Sequence, residues 1–314
     1  MLNTTVTPCV SVVIPTFNRA HTIGAALGSV LDQEFGDLEC LVVDDGSTDD
    51  TAAVVAGFRD PRVRYIAGRH AGVSAARNLG VGRARADIIA FLDSDDLWRR
   101  DKLTRDVSFL RGHPDVDAVF TDLEKHDGGT VYASFMRQTA VFSTRLNGHR
   151  EHEGVPLSQR EMFLVLLEEV PIKPSALTIR RAAFEATGGF DESWSSSEDW
   201  EFLLRFARAR RFGYIDQPLA VLRVGRDSLH RLDQERGETA MIRLLHDQRA
   251  VVRNDGEARD ALRRGLIARV KHFGWHYRAL GRRGAAARVL LRGFRLTGSP
   301  GLLLRAVAAL LLPY

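Results

Sequence analysis

The sequence predicts an α/β fold, a mostly parallel sheet flanked by helices and followed by a C-terminal helical extension. Two observations carry this. From residue 10 onward, short apolar β-prone runs alternate with segments of helical periodicity, the rhythm of βαβ units. Beyond about Asp227 the β-prone runs stop and only helical patterns continue. A chain of 314 residues with 45% hydrophobic content can hold one large α/β domain plus an appendage.

In order, residues 10–14 read as a strand ended by Pro15, and Ile23, Ala26, Leu27, Val30 and Leu31 mark a helix. Residues 41–43 give a second strand and 51–58 a second helix; residues 62–66 give a third strand and 73–81 a helix opening at Gly72. The run Asp87–Leu92 is short, continuous and largely β-prone, as a buried parallel strand should be. A helix at about 102–110 and a strand at 116–120 follow. Residues 124–157 break the rhythm with Gly128, Gly129 and Gly148, which predicts a hairpin near 130–135 and a mobile loop after it. Helices at 162–170 and 200–210 and strands at 176–179 and 212–224 complete the sheet region.

Composition narrows the function classes. Cys9 and Cys40 form neither a disulfide framework nor a zinc spacing, which points to a reducing compartment. The first residues lack the charged and apolar regions of a signal peptide, and no apolar run reaches the roughly 18 residues that span a bilayer. The expected location is cytoplasmic. The net charge of +4 conceals an asymmetry: residues 261–314 carry eleven Arg and Lys and no acid. The first 260 residues therefore hold 33 bases against 40 acids, a balance of −7. A basic tail on an acidic body is expected to meet something anionic.

The chemistry concentrates where strands end. Asp93, Ser94, Asp95 and Asp96 follow the Asp87–Leu92 run, and by strand alternation Asp93 and Asp95 should point the same way. Neighbouring carboxylates repel unless a cation sits between them or one is protonated, and hard oxygen ligands suit Mg²⁺ or Mn²⁺. That edge of an open α/β sheet is where ligands bind. The turn Pro15, Thr16, Phe17, Asn18, Arg19 lacks the glycines of a dinucleotide site. It offers instead Phe17 as a flat surface for a base and Thr16 and Asn18 as hydrogen-bonding groups; a plain strand–helix turn fits equally well. Asp44 and Asp45 begin an acidic run that Asx turns and helix capping also explain. Arg77, in a helix of small residues, is placed to face a carboxylate or phosphate, or to form an ordinary salt bridge. Glu198 and Asp199 open an amphipathic helix, whose dipole favours ionised Asp199 and so a proton acceptor; such acids also serve as simple dipole complements.

Taken together, residues 10–19, Val42 to Asp49, Ala76 to Gly80, Phe91 to Asp96 and Glu198-Asp199-Trp200 resemble glycosyltransferase family 2 over roughly residues 10–225. The resemblance implies the Rossmann-like GT-A fold and inverting, metal-dependent transfer of a sugar from a nucleotide donor, with a UDP-sugar expected, to a hydroxyl of a cell-surface glycan or lipid-linked acceptor. It implies a catalytic domain over 1–226, with a nucleotide-sugar half to about 123 and an acceptor half from 124, before a basic helical region over 227–314. It places Pro15, Thr16 and Phe17 around the base, Asp45 (with Asp44 close behind) on the uracil N3–H, and Arg77 near both. Asp93 falls near the ribose or sugar, Asp95 and Asp93 at the divalent metal, and Asp199 at the catalytic base. Ser94 and Glu198 belong to the same donor site. Many relatives carry Arg-x-His after the base helix; here Gly225 stands at the histidine position, leaving Arg223, Arg226 or His230 for the phosphates.

Two readings of the tail stay open. Residues 261–314 lie on an anionic membrane surface, or form a helical subdomain with a solvated arginine face. Nucleic acid is a poorer fit, since stacking aromatics are few there. The rival to an enzyme is a non-catalytic GT-A-like scaffold in a glycan assembly complex, a role with no need for Asp45, Asp93, Asp95 and Asp199 together.

Overall fold

The computed structural model describes residues 7–145, 153–225 and 234–311. It contains two compact units: Met1–Met162 with Val170–Ser228, and Phe163–Glu169 with Leu229–Tyr314.

The first unit is built on one sheet. Its strands are β1 (Val10–Thr16), β2 (Leu38–Asp44), β3 (Val63–Ala67), β4 (Ile88–Phe91), β5 (Leu97–Trp98), β6 (Ala118–Asp127), β7 (Thr130–Tyr132), β8 (Val155–Pro156), β9 (Leu177–Arg180) and β10 (Phe212–Val224). The order is β3-β2-β1-β4-β9-β6-β10-β5, with β7 on β6 and β8 on β10. β3, β2, β1 and β4 are mutually parallel, as are β6 and β10, and β9 runs antiparallel between β4 and β6. Two antiparallel steps restore direction, so β1, β2, β4, β6 and β10 all deliver their carboxyl ends to one edge. Helices α1 (Ile23–Leu31), α2 (Thr51–Ala56), α3 (Val73–Arg83), α4 (Lys102–Gly112), α5 (Ala140–Arg145), α6 (Gln159–Glu168), α7 (Arg181–Thr187) and α8 (Glu198–Ala207) follow in the chain. The predicted α/β class and mostly parallel sheet are what the structure contains.

Both faces of the central strands are covered. Every residue of β1 and β2 is buried, and Val12, Ile14, Val42 and Ala90 share a core with Ile23, Leu27 and Val30 of α1. On α3, Gly80 permits the close approach: a Cβ there would lie 2.4 Å from a Val13 methyl.

Several expectations need correction. β1 does not stop at Pro15 but runs to Thr16, because its pairing with β4 ends at Val13 and Pro15 borders β2 alone. A proline is tolerated where one side of a strand needs no donor. The strand expected at 116–120 extends to Asp127, and the halves drawn at 123/124 meet inside it. The predicted hairpin is β6–β7, turning at Gly128 (φ 57°) and Gly129 (φ 91°). The loop expected after it holds a 3₁₀ turn at Met136–Gln138 and α5; residues 146–152 lie outside the described residues.

The second unit is helical: the greater part of α6, from Phe163, with α9 (Gln234–Val251), α10 (Gly256–Ala279), α11 (Arg283–Thr297) and α12 (Pro300–Leu311). It has its own core of Ile242, Val270, Phe273, Tyr277, Val289, Leu290 and Leu302. No helix among the described residues is long and apolar enough to cross a membrane.

Candidate active site

The β1 and β2 turns lock together at the carboxyl edge. Asn18 adopts a left-handed conformation (φ 51°), donates its N–H to Ser47 Oγ at 2.8 Å and accepts the Thr48 N–H at 2.8 Å. Its amide oxygen therefore braces a loop. Pro15 and Thr16 are buried in β1, but Thr16 Oγ1 has no partner. Asp44 accepts the Ser47 N–H at 2.7 Å and the Tyr65 hydroxyl at 2.6 Å. Burial and that carboxylate push the Tyr65 phenol up to about 12. Asp45 accepts the N–H groups of Ala71 and Gly72, each at 2.8 Å, which ties β2 to the start of α3. Gly72 makes this turn at φ 96°, a conformation glycine reaches without strain.

Phe17 is 40% exposed, and its ring lies 4.4 Å from that of His70, tilted by 34°. His70 has φ 57°, and its Nδ1 lies 3.0 Å from the Asp45 carbonyl oxygen. Two aromatic rings thus stand at the mouth of the edge. His70 escaped the sequence reading, since no spacing links it to Phe17.

Beyond β4 the strand alternation no longer applies. The strand ends at Phe91, and residues 93–96 form a turn closed by the Asp96 N–H on the Asp93 carbonyl at 3.0 Å. The three carboxylates consequently have different partners. Asp96 is fully buried and accepts the Ser175 hydroxyl at 2.6 Å and the Arg223 N–H at 3.0 Å. Burial and the neighbouring Asp93 and Asp95 hold its carboxyl well above the usual range. Asp96 is therefore a brace joining β4 to β10. Ser175 also accepts the Asp93 N–H at 3.1 Å, and Ser94 is buried beside it in sequence. Asp93 accepts from Arg77. Asp95 keeps a side chain 32% exposed, with Arg19 Nε 4.0 Å away. Its carboxyl is raised first by burial and then by Asp93, against the pull of Arg19.

Arg77 makes the connection that matters most. It is buried on α3 and lies over the Phe190 ring at 5.2 Å. One end of its guanidinium donates to Asp93 at 2.7 Å and the other to Glu198 at 2.9 Å. The first turn of α8 is thereby held against the turn that ends β4, though 121 residues separate Arg77 from Glu198. Glu198 is raised by burial and by adjacent Asp199, with Arg77 opposing. The Asp199 side chain accepts the Trp200 N–H at 2.7 Å and stays partly exposed.

Among the described residues, Thr16 Oγ1, Ser74 Oγ, Arg77 Nε and Arg223 Nη2 are buried without a partner. Buried polar groups in folded proteins are nearly always hydrogen-bonded, so these four atoms are ones a ligand at this edge could satisfy. Arg223 also donates through Nε to the Asp95 carbonyl. Arg226 and His230 lie outside the described residues. No three His, Cys, Asp or Glu side chains among the described residues converge to hold a cation unaided. Partly exposed Asp95, crowded by a like charge, is a hard oxygen donor that fits a divalent cation completed by phosphate oxygens.

Known proteins share this arrangement of chain. The crystal structure of S. aureus TarS 1-349 in complex with UDP-GlcNAc aligns with a TM-score of 0.67 at 19% identity, covering 96% of this chain and 87% of that one. At that identity it shows the GT-A fold alone. An Escherichia coli protein, UDP-Glc:alpha-D-GlcNAc-diphosphoundecaprenol beta-1,3-glucosyltransferase WfgD, is 41% identical over 138 residues, 44% of this chain and 54% of that protein. Rhizobium meliloti succinoglycan biosynthesis protein ExoO is 50% identical over 99 residues, 31% of this chain and 28% of that protein. The matched stretches thus span about half or less of these relatives. The family model for glycosyl transferase family 2 matches residues 11–187, more than half of the chain. The chain belongs to glycosyl transferase family 2.

Proposed function

We propose that the protein is an inverting, metal-dependent glycosyltransferase that moves a sugar from a UDP-sugar to a hydroxyl of a cell-envelope glycan or lipid-linked acceptor on the cytoplasmic side of a membrane. The observation that carries this is the Arg77 bridge, which brings the helix bearing Asp199 to the strand end bearing Asp93 and Asp95. Phe17 and His70 would flank the base, with Asp45 and Asp44 beside it. Asp45 uses one lone pair of each oxygen on the α3 turn, so a second remains to accept a ring N–H. Arg223 would turn its unpaired Nη2 to the diphosphate.

Asp95 would hold Mn²⁺ or Mg²⁺, with Asp93 nearby but paired to Arg77. A divalent cation there supplies charge stabilisation for a departing nucleoside diphosphate. Asp199 would take the proton of the acceptor hydroxyl as that oxygen bonds the anomeric carbon and the bond to the diphosphate breaks. One displacement needs one base and inverts the centre. The relatives lend the substrate class: one is named for UDP-Glc and a diphosphoundecaprenol acceptor, and TarS was crystallised with UDP and UDP-GlcNAc. The basic residues 261–314 would meet the anionic surface on which such an acceptor sits.

The test is Asp199→Asn, assayed with a panel of nucleotide sugars and Mn²⁺. Removing a general base costs about 10²–10⁴-fold in rate. UDP affinity by calorimetry should stay within about twofold, as Asp199 touches no donor group. Turnover comparable to wild type would remove Asp199 from this role.

A further inference from the structure

The C-terminal unit presents two stripes that its own packing does not use. On α12, Leu302, Ala306 and Ala309 are buried in the helical core. A helix that merely closed that core would need one apolar face. α12 has a second: Leu303, Leu304, Val307, Leu310 and Leu311 are 37, 71, 47, 52 and 73% exposed. At 3.6 residues per turn these five fall within an arc of about 120°. Five large apolar side chains exposed on one helix face mark an interaction surface, not ordinary scatter.

The preceding helix supplies the matching charge. On α11, Arg288, Arg292 and Arg295 are all exposed and recur at i, i+4 and i+7, within about 60° of arc. α11 and α12 are consecutive, joined through Gly298 (φ 64°), and pack on each other around Gly293, where an added Cβ would lie 3.0 Å from a Leu302 methyl. Arg263 donates to the Thr297 carbonyl at 3.0 Å, adding a cation at their junction. No acid occurs anywhere in residues 261–314.

From this pairing we infer that α11 and α12 form a docking face for an anionic lipid bilayer. The exposed stripe of α12 enters the acyl boundary, and Arg288, Arg292 and Arg295 sit on headgroup phosphates. A protein partner with an acidic rim would match the arginines, but no acid-free run of 54 residues is needed to select one partner. A diffuse, repeating negative surface matches an unbroken excess of cations. The inference rests on the proposal that residues 261–314 meet an anionic surface, and not on the reaction assigned to the first unit.

The test is flotation of the full chain with vesicles of phosphatidylcholine alone or with 30% phosphatidylglycerol. Wild type should float with the anionic vesicles and at least tenfold less with the neutral ones. The variant R288Q/R292Q/R295Q should partition about a hundredfold less into anionic vesicles, at about 1 kcal/mol per arginine. The variant L304S/V307S/L311S should fail to float with either. An unchanged melting transition and unchanged UDP binding establish that these variants fold. If the serine triple loses its transition, Leu304→Glu and Leu311→Glu, each a single exposed change, give the same reading.

Wild type remaining at the bottom of the gradient overturns the inference, as does a serine triple that floats like wild type. A serine triple that converts a dimer to a monomer by light scattering, with vesicle binding unchanged, assigns the face to a second copy and overturns it too. Flotation needs neither donor nor acceptor, so its failure leaves the transfer reading standing, and lost transfer leaves the docking face standing.

Discussion

Replacing Arg77 with methionine keeps most of the side-chain volume and removes the charge that joins α3, the turn after β4 and α8. The guanidinium is 3% exposed and donates to Asp93 and Glu198 at 2.7 and 2.9 Å. Removing one partner from a buried ion pair costs about 3–5 kcal/mol, because the remaining charge is stranded. Here the stranded groups are not wholly dry: the Asp93 and Glu198 side chains are 28 and 14% exposed. Water therefore recovers part of the loss, and the low end of that range, about 3 kcal/mol, is expected. For a unit of this size that lowers the melting temperature by about 6–12 °C.

The loss should depend on pH. Glu198 is already raised in the folded protein by burial and Asp199, against Arg77. A carboxyl whose folded pKa lies above its unfolded one binds its proton more tightly when folded. It therefore opposes folding above that range and ceases to do so as pH falls toward 4.5, its ordinary value. Without Arg77 the rise is larger, so the destabilisation should be greatest at pH 7–8 and shrink toward pH 5. Urea denaturation of wild type, Arg77→Met, Glu198→Gln and the double variant at both pH values measures this. The double variant should recover at least about 1 kcal/mol relative to additivity. A change below about 0.5 kcal/mol in Arg77→Met at both pH values, or strict additivity, refutes the bridge.

Three further outcomes are expected. Asp95 is raised by burial and by Asp93, so it opposes folding above the ordinary carboxylate range of 3.8. Asp95→Asn should thus be more thermostable than wild type at pH 7.5, the advantage fading toward pH 4, while the stabilisation that UDP with Mn²⁺ gives wild type disappears; lower stability at neutral pH would contradict this. Phe17→Ala should weaken UDP binding fivefold to a hundredfold by calorimetry, from about 1–3 kcal/mol of base stacking, and Phe17→Trp should restore it. Gly80→Ala puts a Cβ 2.4 and 3.1 Å from the Val13 methyls and 3.2 Å from a Val43 methyl. Such overpacking costs about 1–3 kcal/mol, seen as a lower urea midpoint with UDP affinity retained once folded.

What the sequence made legible follows from which forces act locally. Strands buried on both faces announce themselves as apolar runs, and β10 appears over the very residues expected, 212–224. α7 went unread because residues 181–187 carry three alanines and no apolar stripe; in the fold it packs on β9 and α8. β5 and β8 have two residues each, too few to show a period. At the site, residue types at strand ends identified the right loops but not who binds whom. Asp96 looked like its neighbours until Ser175, 79 residues away, was found to donate to it. Asn18 reads as a hydrogen-bonding group for a base, and nothing in the spacing announces that its amide oxygen goes to Thr48. Such pairings depend on topology, to which spacing along the chain is blind.

The charges at the edge explain why the proposed donor and cation should bind together. Asp93, Asp95, Asp96, Glu198 and Asp199 face three guanidinium groups, those of Arg19, Arg77 and Arg223. Asp96 is buried and turned away, onto the Ser175 hydroxyl and the Arg223 N–H, and Arg77 is spent on Asp93 and Glu198 at once. That leaves Asp95 and Asp199 against Arg19 and Arg223, an almost balanced set. A diphosphate arriving alone would add at least two negative charges beside Asp95, in surroundings less polar than water. A divalent cation arriving alone would find Asp95 partly exposed and Asp93 already paired to Arg77, too few ligands for a hard ion. Each is unfavourable separately, and each removes the other's penalty. On the proposed reading, UDP affinity should therefore fall by more than tenfold when Mn²⁺ is chelated, and Mn²⁺ alone should not shift the melting temperature. Tight UDP binding in excess chelator would mean that the arginines suffice, and Asp95 would then need another purpose.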